Sequence, residues 1–233
     1  DNPCSLIGLG LVEPGRVALS LGTSDTLFAC MEAPHTSFKG EGCVFASPDG
    51  LNYLALSCFL NGSLARETVR NEYQLTWEDF TNALIQTPPG NHGAIMLPYF
   101  GPEIVPKIHT PNVIRHQLNA KDINSNVRAV VEAQAMSSKI HTKWIGIDIH
   151  SLSVTGGASV NAEILQIYAN VHNCPVHRFE TTNSAALGAA LRALQAHQMM
   201  DWNSTVSQFT QPVSNSTIKP QTNAVDAYEK HIS

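Results

Sequence analysis

The sequence predicts an α/β domain in which helices cover buried parallel strands, and its later half gives the clearest signal. There a strand that ends in Gly-Gly (residues 144–157) precedes an amphipathic helix, a second strand, "CPVHRFE", and a helix rich in small residues. Strands that alternate with helices are typical of a layered α/β fold. An apolar hairpin, "VALSLGTSDTLFA" (residues 17–29), lies far earlier in the chain. With 233 residues, the chain is long enough to bury a sizeable core.

The first half is predicted to begin with strands and to continue with helices. Strands at residues 16–20 and 26–31 form the opening hairpin, and two more β-rich runs follow, "GCVFASP" and "NYLALSCFL". A helix is expected to begin at Asn61, because the apolar residues of "GSLARETVRNEY" recur at helical spacing. A second helix, "LTWEDFTNALIQ", has Thr76 as its N-cap and acidic residues in its first turn.

Further along the chain we expect a short strand, a long helix and a polar tail. "GAIMLPYFGPEIVPKI" predicts a short strand that runs into a loop rich in proline and glycine. Apolar residues on one face predict a helix over roughly residues 124–143. Residues 201–223 are polar and contain prolines, so we expect a surface loop there. A single domain over residues 1–200 would be completed by that loop and by a terminal helix at 224–233.

Composition and charge disfavour several classes of protein. The net charge is −5, with no run of like charges, which argues against nucleic acid as a partner. The longest apolar runs are far shorter than the roughly 20 residues that span a bilayer, and no signal peptide is visible, so we expect a cytoplasmic protein. The five cysteines are odd in number and dispersed, as free thiols are. His172, Cys174 and His177 lack a second ligand pair, so no metal site is predicted.

The tip of the opening hairpin has more polar groups than a chain reversal needs. Gly22, Thr23, Ser24, Asp25 and Thr26 stand where a tight hairpin uses two residues. One interpretation is a solvated loop between two core strands. The other is a phosphate-binding turn, in which backbone N–H groups and hydroxyls face an anion. The residues of the tip alone do not decide between the two.

A second glycine-rich turn, "VTGGASVN", follows a strand and precedes a helix. Gly156 and Gly157 would let the backbone pass close beneath a flat ligand, although a simple tight turn explains them equally well. Their spacing matches neither the dinucleotide-binding glycine motif nor a P-loop. Asn161 is expected on the first helical turn, where its amide would bind a base or ribose or face water. For the later small-residue helix, which begins at Ser184, close packing is the preferred interpretation.

Taken together, these features resemble the C-terminal lobe of the FGGY carbohydrate kinases. A Gly-Thr-Ser hairpin, a strand–Gly-Gly–helix unit and a small-residue helix occur in that family in this order. "SLGTSDT", "FLNGSLARETVRNEY", "RAVVEAQAMSSKIH" and "TGGASVNAEILQIYANV" are similar to the eukaryotic xylulose kinases in particular. The resemblance covers nearly the whole chain and is weakest over residues 200–222. It implies the actin-like, ribonuclease-H-like ATPase fold, with a mixed sheet flanked by helices.

The resemblance implies a nucleotide site that uses ATP and Mg²⁺. In that family the hairpin approaches the terminal phosphates and the Gly-Gly helix start lies against adenosine, and the similarity to the eukaryotic xylulose kinases implies that a tryptophan at the position of Trp77 lines the pocket. The residues assigned to the nucleotide are therefore Gly22, Thr23, Ser24, Trp77, Gly156, Gly157 and Asn161. Neutral hydrogen-bond donors suit phosphoryl transfer, which needs mainly positioning and charge stabilisation.

The resemblance also assigns roles to the first residues, in "DNPCSLIGLGL". Asp1 would be the general base that accepts the proton of the attacking sugar hydroxyl, and Asn2 would contact the sugar. From the residues alone, an Asx turn or helix cap before Pro3 is the preferred interpretation of Asp1. Because the chain starts without methionine, we expect a fragment of a longer protein. Its partners would be a small sugar substrate and its own N-terminal lobe, with no nucleic acid and no membrane.

One motif departs from the family pattern. In "LPYFGPEIVP" (residues 97–106), Glu103 and Pro106 fit the pattern, while Ile-Val replaces Arg-Thr. The role of this loop is therefore left open.

The activity that the resemblance implies is ATP-dependent phosphorylation of D-xylulose, and two other functions stay open. The first is a kinase for another sugar or polyol such as glycerol, ribulose or gluconate, since the sugar pocket lies largely in the other lobe. The second is a non-catalytic nucleotide-binding module of the actin-like fold. Such a module would need both glycine-rich turns but no base at Asp1.

Overall fold

The computed structural model describes residues 2–179 and 183–232. Its strands are β1 (Arg16–Leu21), β2 (Asp25–Met31), β3 (Cys43–Ala46), β4 (Tyr53–Phe59), β5 (Ile95–Tyr99), β6 (Asn112–His116), β7 (Ser151–Thr155) and β8 (Val176–Arg178). Its helices are α1 (Asn2–Gly8), α2 (Ser63–Glu72), α3 (Trp77–Gln86), α4 (Ile123–Ile140), α5 (Ala162–His172), α6 (Ser184–Gln198), α7 (Trp202–Ser207) and α8 (Thr222–Ile232). Across these two described ranges, no helix has the length and apolar character needed to cross a membrane.

Six strands form one mixed sheet in the order β3-β4-β2-β1-β7-β8. β1 pairs antiparallel with β2 and parallel with β7, which in turn is parallel to β8. Leu19, at the centre of β1, lies opposite Leu27 on one side and Val154 on the other, and all three side chains are buried. β5 and β6 form a separate antiparallel pair. This mixed sheet with its flanking helices confirms the predicted fold class.

Apolar side chains cover both faces of the central strand, β1. Val17, Leu19 and Leu21 belong to the main core, together with residues of α4, α5 and α8. Ala18, between them, belongs to a second cluster that includes Leu6 of α1. Because successive side chains of a strand point to opposite faces, β1 contributes to both cores at once. The sheet is thereby held between two layers, which fixes the position of its strand ends.

α6 lies tightly against α1, as expected for a helix of small residues. A Cβ built at Gly188 would collide with the carbonyl of Cys4, and one built at Gly8 would collide with the carbonyl of Ser184. The two backbones are therefore in direct contact where the helices cross, and a larger side chain at either glycine would force them apart. The packing interpretation of this helix is confirmed.

Two element starts differ from the sequence-based expectation. The strand expected over 144–157 begins only at Ser151, since Gly146 adopts a left-handed φ of 70° directly after a 3₁₀ turn. The helix expected at Asn61 begins at Ser63. The side chain of Asn61 instead binds the loop that follows β5, where its Nδ2 donates a hydrogen bond to the carbonyl of Gly101 at 3.3 Å.

α1 and β6 are elements that the sequence patterns did not predict. α1 carries Pro3 in its first turn, where a missing backbone N–H costs nothing. β6 is short, and its residues alternate between exposed and partly buried. It is recognised by its pairing with β5, in which Leu97 lies opposite Ile114.

The prediction of a surface loop over 201–223 is wrong in part. α7 lies within it and begins after Asp201, whose Oδ1 accepts a hydrogen bond from the backbone N–H of Ser204 at 2.9 Å. Ile218 forms an isolated β-bridge with Val176, so the segment is also tied to the sheet edge. The terminal helix, α8, begins at Thr222 rather than at 224. Side-chain capping, the Ile218 bridge and further tertiary hydrogen bonds, such as the one from the N–H of Val213 to the carbonyl of Arg178 at 2.9 Å, order a segment whose composition is typical of a loop.

Candidate functional site

A cleft of about 590 Å³ lies where the tip of the β1–β2 hairpin faces the turn that precedes α5. The starts of α2 and α3 close its remaining sides. The lining residues are Leu21, Gly22, Thr23, Ser63, Arg66, Glu67, Trp77, Gly157, Ala158, Val160, Asn161 and Ile164. Pockets that hold small molecules and cofactors commonly have volumes of about 300–1,000 Å³, so the cleft is large enough for a nucleotide.

The structure brings together five of the residues assigned to the nucleotide, namely Gly22, Thr23, Trp77, Gly157 and Asn161. Ser24 and Gly156 are not among the residues that line the cleft, but each directly follows or precedes one that does. The two glycine-rich turns, distant in sequence, therefore lie in one site.

Sheet topology explains why these turns meet. β1 and β7 are parallel neighbours, and Ser20 near the end of β1 lies opposite Thr155 at the end of β7. Both turns follow the carboxyl ends of their strands, and this edge is where open α/β sheets usually bind ligands. Gly156 allows the second turn to lie close to the end of β1. Its φ is +92°, and a Cβ there would lie 2.5 Å from the carbonyl oxygen of Leu21. The end of β1, just before the hairpin tip, and the backbone of the second turn are thus packed in direct contact.

Gly157 differs from Gly156, because it faces open space. A Cβ built at Gly157 meets no atom within 4 Å, and the residue is exposed at the wall of the cleft. It begins a 3₁₀ turn, Gly157–Val160, that leads into α5. A side chain added at this position would enter the cleft rather than the core.

Asn161 is the N-cap of α5, not a residue of its first turn as expected. Its Oδ1 accepts hydrogen bonds from the backbone N–H groups of Glu163 and Ile164 at 3.0 and 3.2 Å. Its Nδ2 donates to Oγ1 of Thr81 in α3 at 2.8 Å. Asparagine is favoured at N-caps because its side chain satisfies the free N–H groups of the first turn. The amide thus joins α5 to α3 across the floor of the cleft.

Trp77 is the first residue of α3 and is 43% exposed at the cleft. The predicted cap holds it in place: Oγ1 of Thr76 accepts from the N–H of Asp79, and the Asp79 carboxylate accepts from the N–H of Thr76. Its ring lies edge-on to Phe80, with centroids 5.4 Å apart, and the Arg70 guanidinium lies 4.7 Å from its centroid. The indole is therefore a fixed, partly exposed wall of the cleft.

Beneath the hairpin tip lies a buried ion pair that the sequence analysis missed. Asp25, the first residue of β2, accepts from Nη1 and Nη2 of Arg66 at 2.8 and 3.0 Å, and both side chains are buried. Burial raises the pKa of the Asp25 carboxyl, and the adjacent Arg66 guanidinium opposes that rise. Asp25 thus turns inward and ties the hairpin to α2, while Thr23 stays exposed at the tip.

The sequence pattern around Arg66 indicates that its charge is buried and paired. It lies beside Ala65 and three residues before Val69, on the face of α2 that is buried. A charged residue on the apolar stripe of a helix is rare unless it is paired. The sequence does not name its partner, since Asp25 lies 41 residues away.

Of the two residues assigned to the sugar, the structure describes only Asn2. Asp1 lies outside the residues that the structure describes. Asn2 is the first residue of α1 and does not line the cleft. Among the described residues, no group of three or more His, Cys, Asp or Glu side chains is arranged to hold a metal ion.

Comparisons with known proteins find similar sequences and folds. Residues 17–197 match the profile of the FGGY family of carbohydrate kinases, C-terminal domain. A xylulose kinase from Rattus norvegicus is 42% identical over 201 residues, covering 83% of this chain and 37% of the rat protein. A solved structure titled as a "xyloylose kinase" from Brucella ovis has 25% identity and a TM-score of 0.85, covering 100% of this chain and 49% of that chain.

A gluconate kinase structure from Lactobacillus acidophilus shares the fold as well, with a TM-score of 0.88 at 22% identity over 98% of this chain and 48% of that one. The chain spans less than half the length of each of these relatives. The family profile, in contrast, matches most of the chain. The chain belongs to the FGGY family of carbohydrate kinases and corresponds to the C-terminal domain of that family.

Proposed function

We propose that this chain supplies the nucleotide-binding lobe of a kinase that transfers a phosphoryl group from ATP to D-xylulose, giving D-xylulose 5-phosphate. One observation carries the proposal: the hairpin tip and the Gly157 turn line a single cleft of about 590 Å³. A nucleotide has a polyanionic end and a flat aromatic end. The cleft has a hydroxyl-bearing turn at one side, at Thr23, and an open glycine backbone at another.

The two ends of ATP would be bound by different chemistry. Gly22, Thr23 and Ser24 would face the terminal phosphates with neutral donors, which stabilise charge without a counter-ion of their own. Adenosine would lie over Gly157, where no atom occupies the position of a Cβ, with Trp77 as a neighbouring wall. Mg²⁺ usually binds through one or two carboxylates together with substrate phosphates, so we propose that it enters with ATP and offsets the phosphate charge.

Asp1 would act as the general base. A carboxylate within hydrogen-bond reach of the sugar hydroxyl accepts its proton as the oxygen attacks the terminal phosphorus. The choice of D-xylulose follows the xylulose kinase from rat, which is 42% identical to this chain. The sugar would be held mainly by a second, N-terminal lobe, so its specificity would be set there.

This proposal predicts that the 233-residue chain binds ATP weakly and does not phosphorylate D-xylulose by itself. The cleft residues are present, but orientation of the attacking hydroxyl can account for roughly 7–11 kcal/mol of a barrier, and that orientation would come from the other lobe. Calorimetric titration with MgATP and an assay of xylulose-dependent ADP release measure the two halves of the prediction.

Two results would contradict it. Rapid xylulose-dependent ADP release by this chain alone would mean that the sugar site is misplaced. If the chain is folded but shows no heat of binding with MgATP, the proposed nucleotide site is wrong. Titration with GTP and a thermal unfolding scan serve as controls for specificity and folding.

A further inference from the structure

The loop after β5, which departs from the family pattern, contains a buried carboxylate that binds backbone. Glu103 is only 4% exposed. Its Oε1 accepts from the N–H groups of Leu60 and Ile104 at 2.7 and 2.8 Å, and its Oε2 accepts from the N–H and Nδ2 of Asn61 at 2.9 and 3.0 Å. With the N–H of Val105, which donates to Oε1 at 3.4 Å, five donors converge on one carboxylate. Such an arrangement fixes the backbone that supplies the donors.

The segment that Glu103 binds, residues 60–62, lies directly against the hairpin tip. A Cβ built at Gly62 would lie 2.6 Å from the N atom of Asp25 and 2.7 Å from the carbonyl oxygen of Thr23. The N–H of Ser63 donates to the carbonyl of Gly22 at 2.9 Å. The tip therefore rests on segment 60–62 without an intervening side chain.

α4 holds the same segment from the other side. Nε2 of Gln134 donates to the carbonyls of Asn61 and Gly62 at 2.7 and 2.8 Å. Its Oε1 accepts from Nη1 of Arg66 at 2.8 Å, which links the segment to the Asp25–Arg66 pair. Glu103 thus binds the N–H groups of the segment and Gln134 binds its carbonyls. Both sides of this backbone are fixed.

We propose that Glu103 is a positioning residue for the triphosphate: by fixing segment 60–62, it sets the position of the tip Gly22–Ser24 in the cleft. This inference rests on the proposed nucleotide site. It also gives a role to the loop 97–106. The Ile-Val pair that replaces Arg-Thr in this loop leaves that role intact, because neither side chain takes the place of the carboxylate: Ile104 is about half exposed and Val105 is buried in the core.

The test uses Glu103→Gln in the 233-residue chain. The amide keeps the size of the side chain, but its NH₂ group must face at least two N–H donors whichever way it is turned. Loss of these bonds should release segment 60–62 and displace the tip. We expect affinity for MgATP to fall about tenfold, the effect of one misplaced charge-assisted hydrogen bond. Affinity for AMP, which lacks the phosphates that reach the tip, should change less than about twofold.

Asp49→Asn is the matched control. The Asp49 carboxylate also accepts from backbone N–H groups, those of Leu51 and Asn52, both at 2.9 Å. It stabilises the turn between β3 and β4, at the end of β4 opposite to Phe59 and the hairpin tip. We expect this variant to lower the unfolding temperature without changing the ratio of MgATP to AMP affinity.

The possible results separate this inference from the proposed function. A selective loss of MgATP affinity in Glu103→Gln alone supports the inference. Equal losses for both nucleotides, no loss for either, or the same selective loss in Asp49→Asn would overturn it. If the unsubstituted chain binds neither nucleotide, the proposed site is wrong and the inference falls with it. If Glu103→Gln does not fold, Asn61→Ser replaces it: this variant removes the side-chain bonds to Glu103 and Gly101 and should show the same selectivity loss.

Discussion

Asp1→Asn in a kinase that carries both lobes should lower xylulose-dependent turnover by about two to four orders of magnitude, the range expected for loss of a general base. Asparagine has nearly the shape of aspartate, but it cannot accept the proton of the attacking hydroxyl. Affinity for ATP should stay within about twofold, because the nucleotide cleft is built from other residues. Steady-state kinetics with D-xylulose and calorimetric titration with MgATP measure the two effects.

Glu13→Gln is the control for this variant. Glu13 is a partly exposed carboxylate in the same part of the chain, paired with Arg16 at 3.1 Å, and its loss should leave turnover unchanged. Near-normal turnover in Asp1→Asn would exclude Asp1 as the base. A parallel loss of ATP affinity would instead place Asp1 in nucleotide binding.

Arg66→Met should lower the free energy of unfolding by about 3–5 kcal/mol, because it leaves Asp25 as an unpaired buried carboxylate. Methionine fills much of the volume of arginine, so the loss is mainly electrostatic. Without Arg66 the pKa of Asp25 should rise further than burial already raises it. A carboxyl whose folded pKa lies above its unfolded pKa costs stability as the pH rises from about 4 through the folded value. The variant should therefore be least destabilised near pH 4 and most destabilised at neutral pH.

Urea unfolding of Arg66→Met at several pH values measures this effect. Arg16→Met removes an exposed pair with Glu13 and should cost less than about 1 kcal/mol at any pH. Adding Asp25→Asn to Arg66→Met removes the unpaired charge and should recover part of the lost stability, chiefly at neutral pH. A cost below about 1 kcal/mol, or one that grows as the pH falls, would show that the buried pair does not stabilise the hairpin.

The meeting of the two glycine-rich turns was predicted through the family resemblance, which assigns both to one nucleotide, while the strand order that explains it is seen only in the structure. Strands that are parallel neighbours place their carboxyl ends at one edge, so turns after β1 and β7 meet regardless of the chain between them. The cap at Thr76 could be predicted from neighbouring residues alone, since a threonine three residues before an acidic residue is a local signal.

The contacts of Glu103 and Asn61 could not be predicted from the sequence. Glu103 binds Asn61 across 42 residues, and no local pattern shows which backbone N–H groups a buried carboxylate will accept from. Asn161 is a different case. An asparagine immediately before an apolar helical run, with Glu163 in the first turn, has the features of an N-cap, so its position could be predicted from the local sequence.

The central claim, that the cleft beside Gly157 binds the nucleotide, is tested most directly by titrating Gly157→Val with MgATP. A Cβ at this position meets no protein atom within 4 Å, so folding should be nearly unaffected, while the valine side chain fills the space proposed for adenosine. We expect affinity to fall by about tenfold or more, as when a bulky group is forced into an occupied site. Ala33→Val, an exposed position just beyond the opposite end of β2, should leave affinity unchanged. Unchanged MgATP affinity in a Gly157→Val variant that unfolds at the normal temperature would contradict the account.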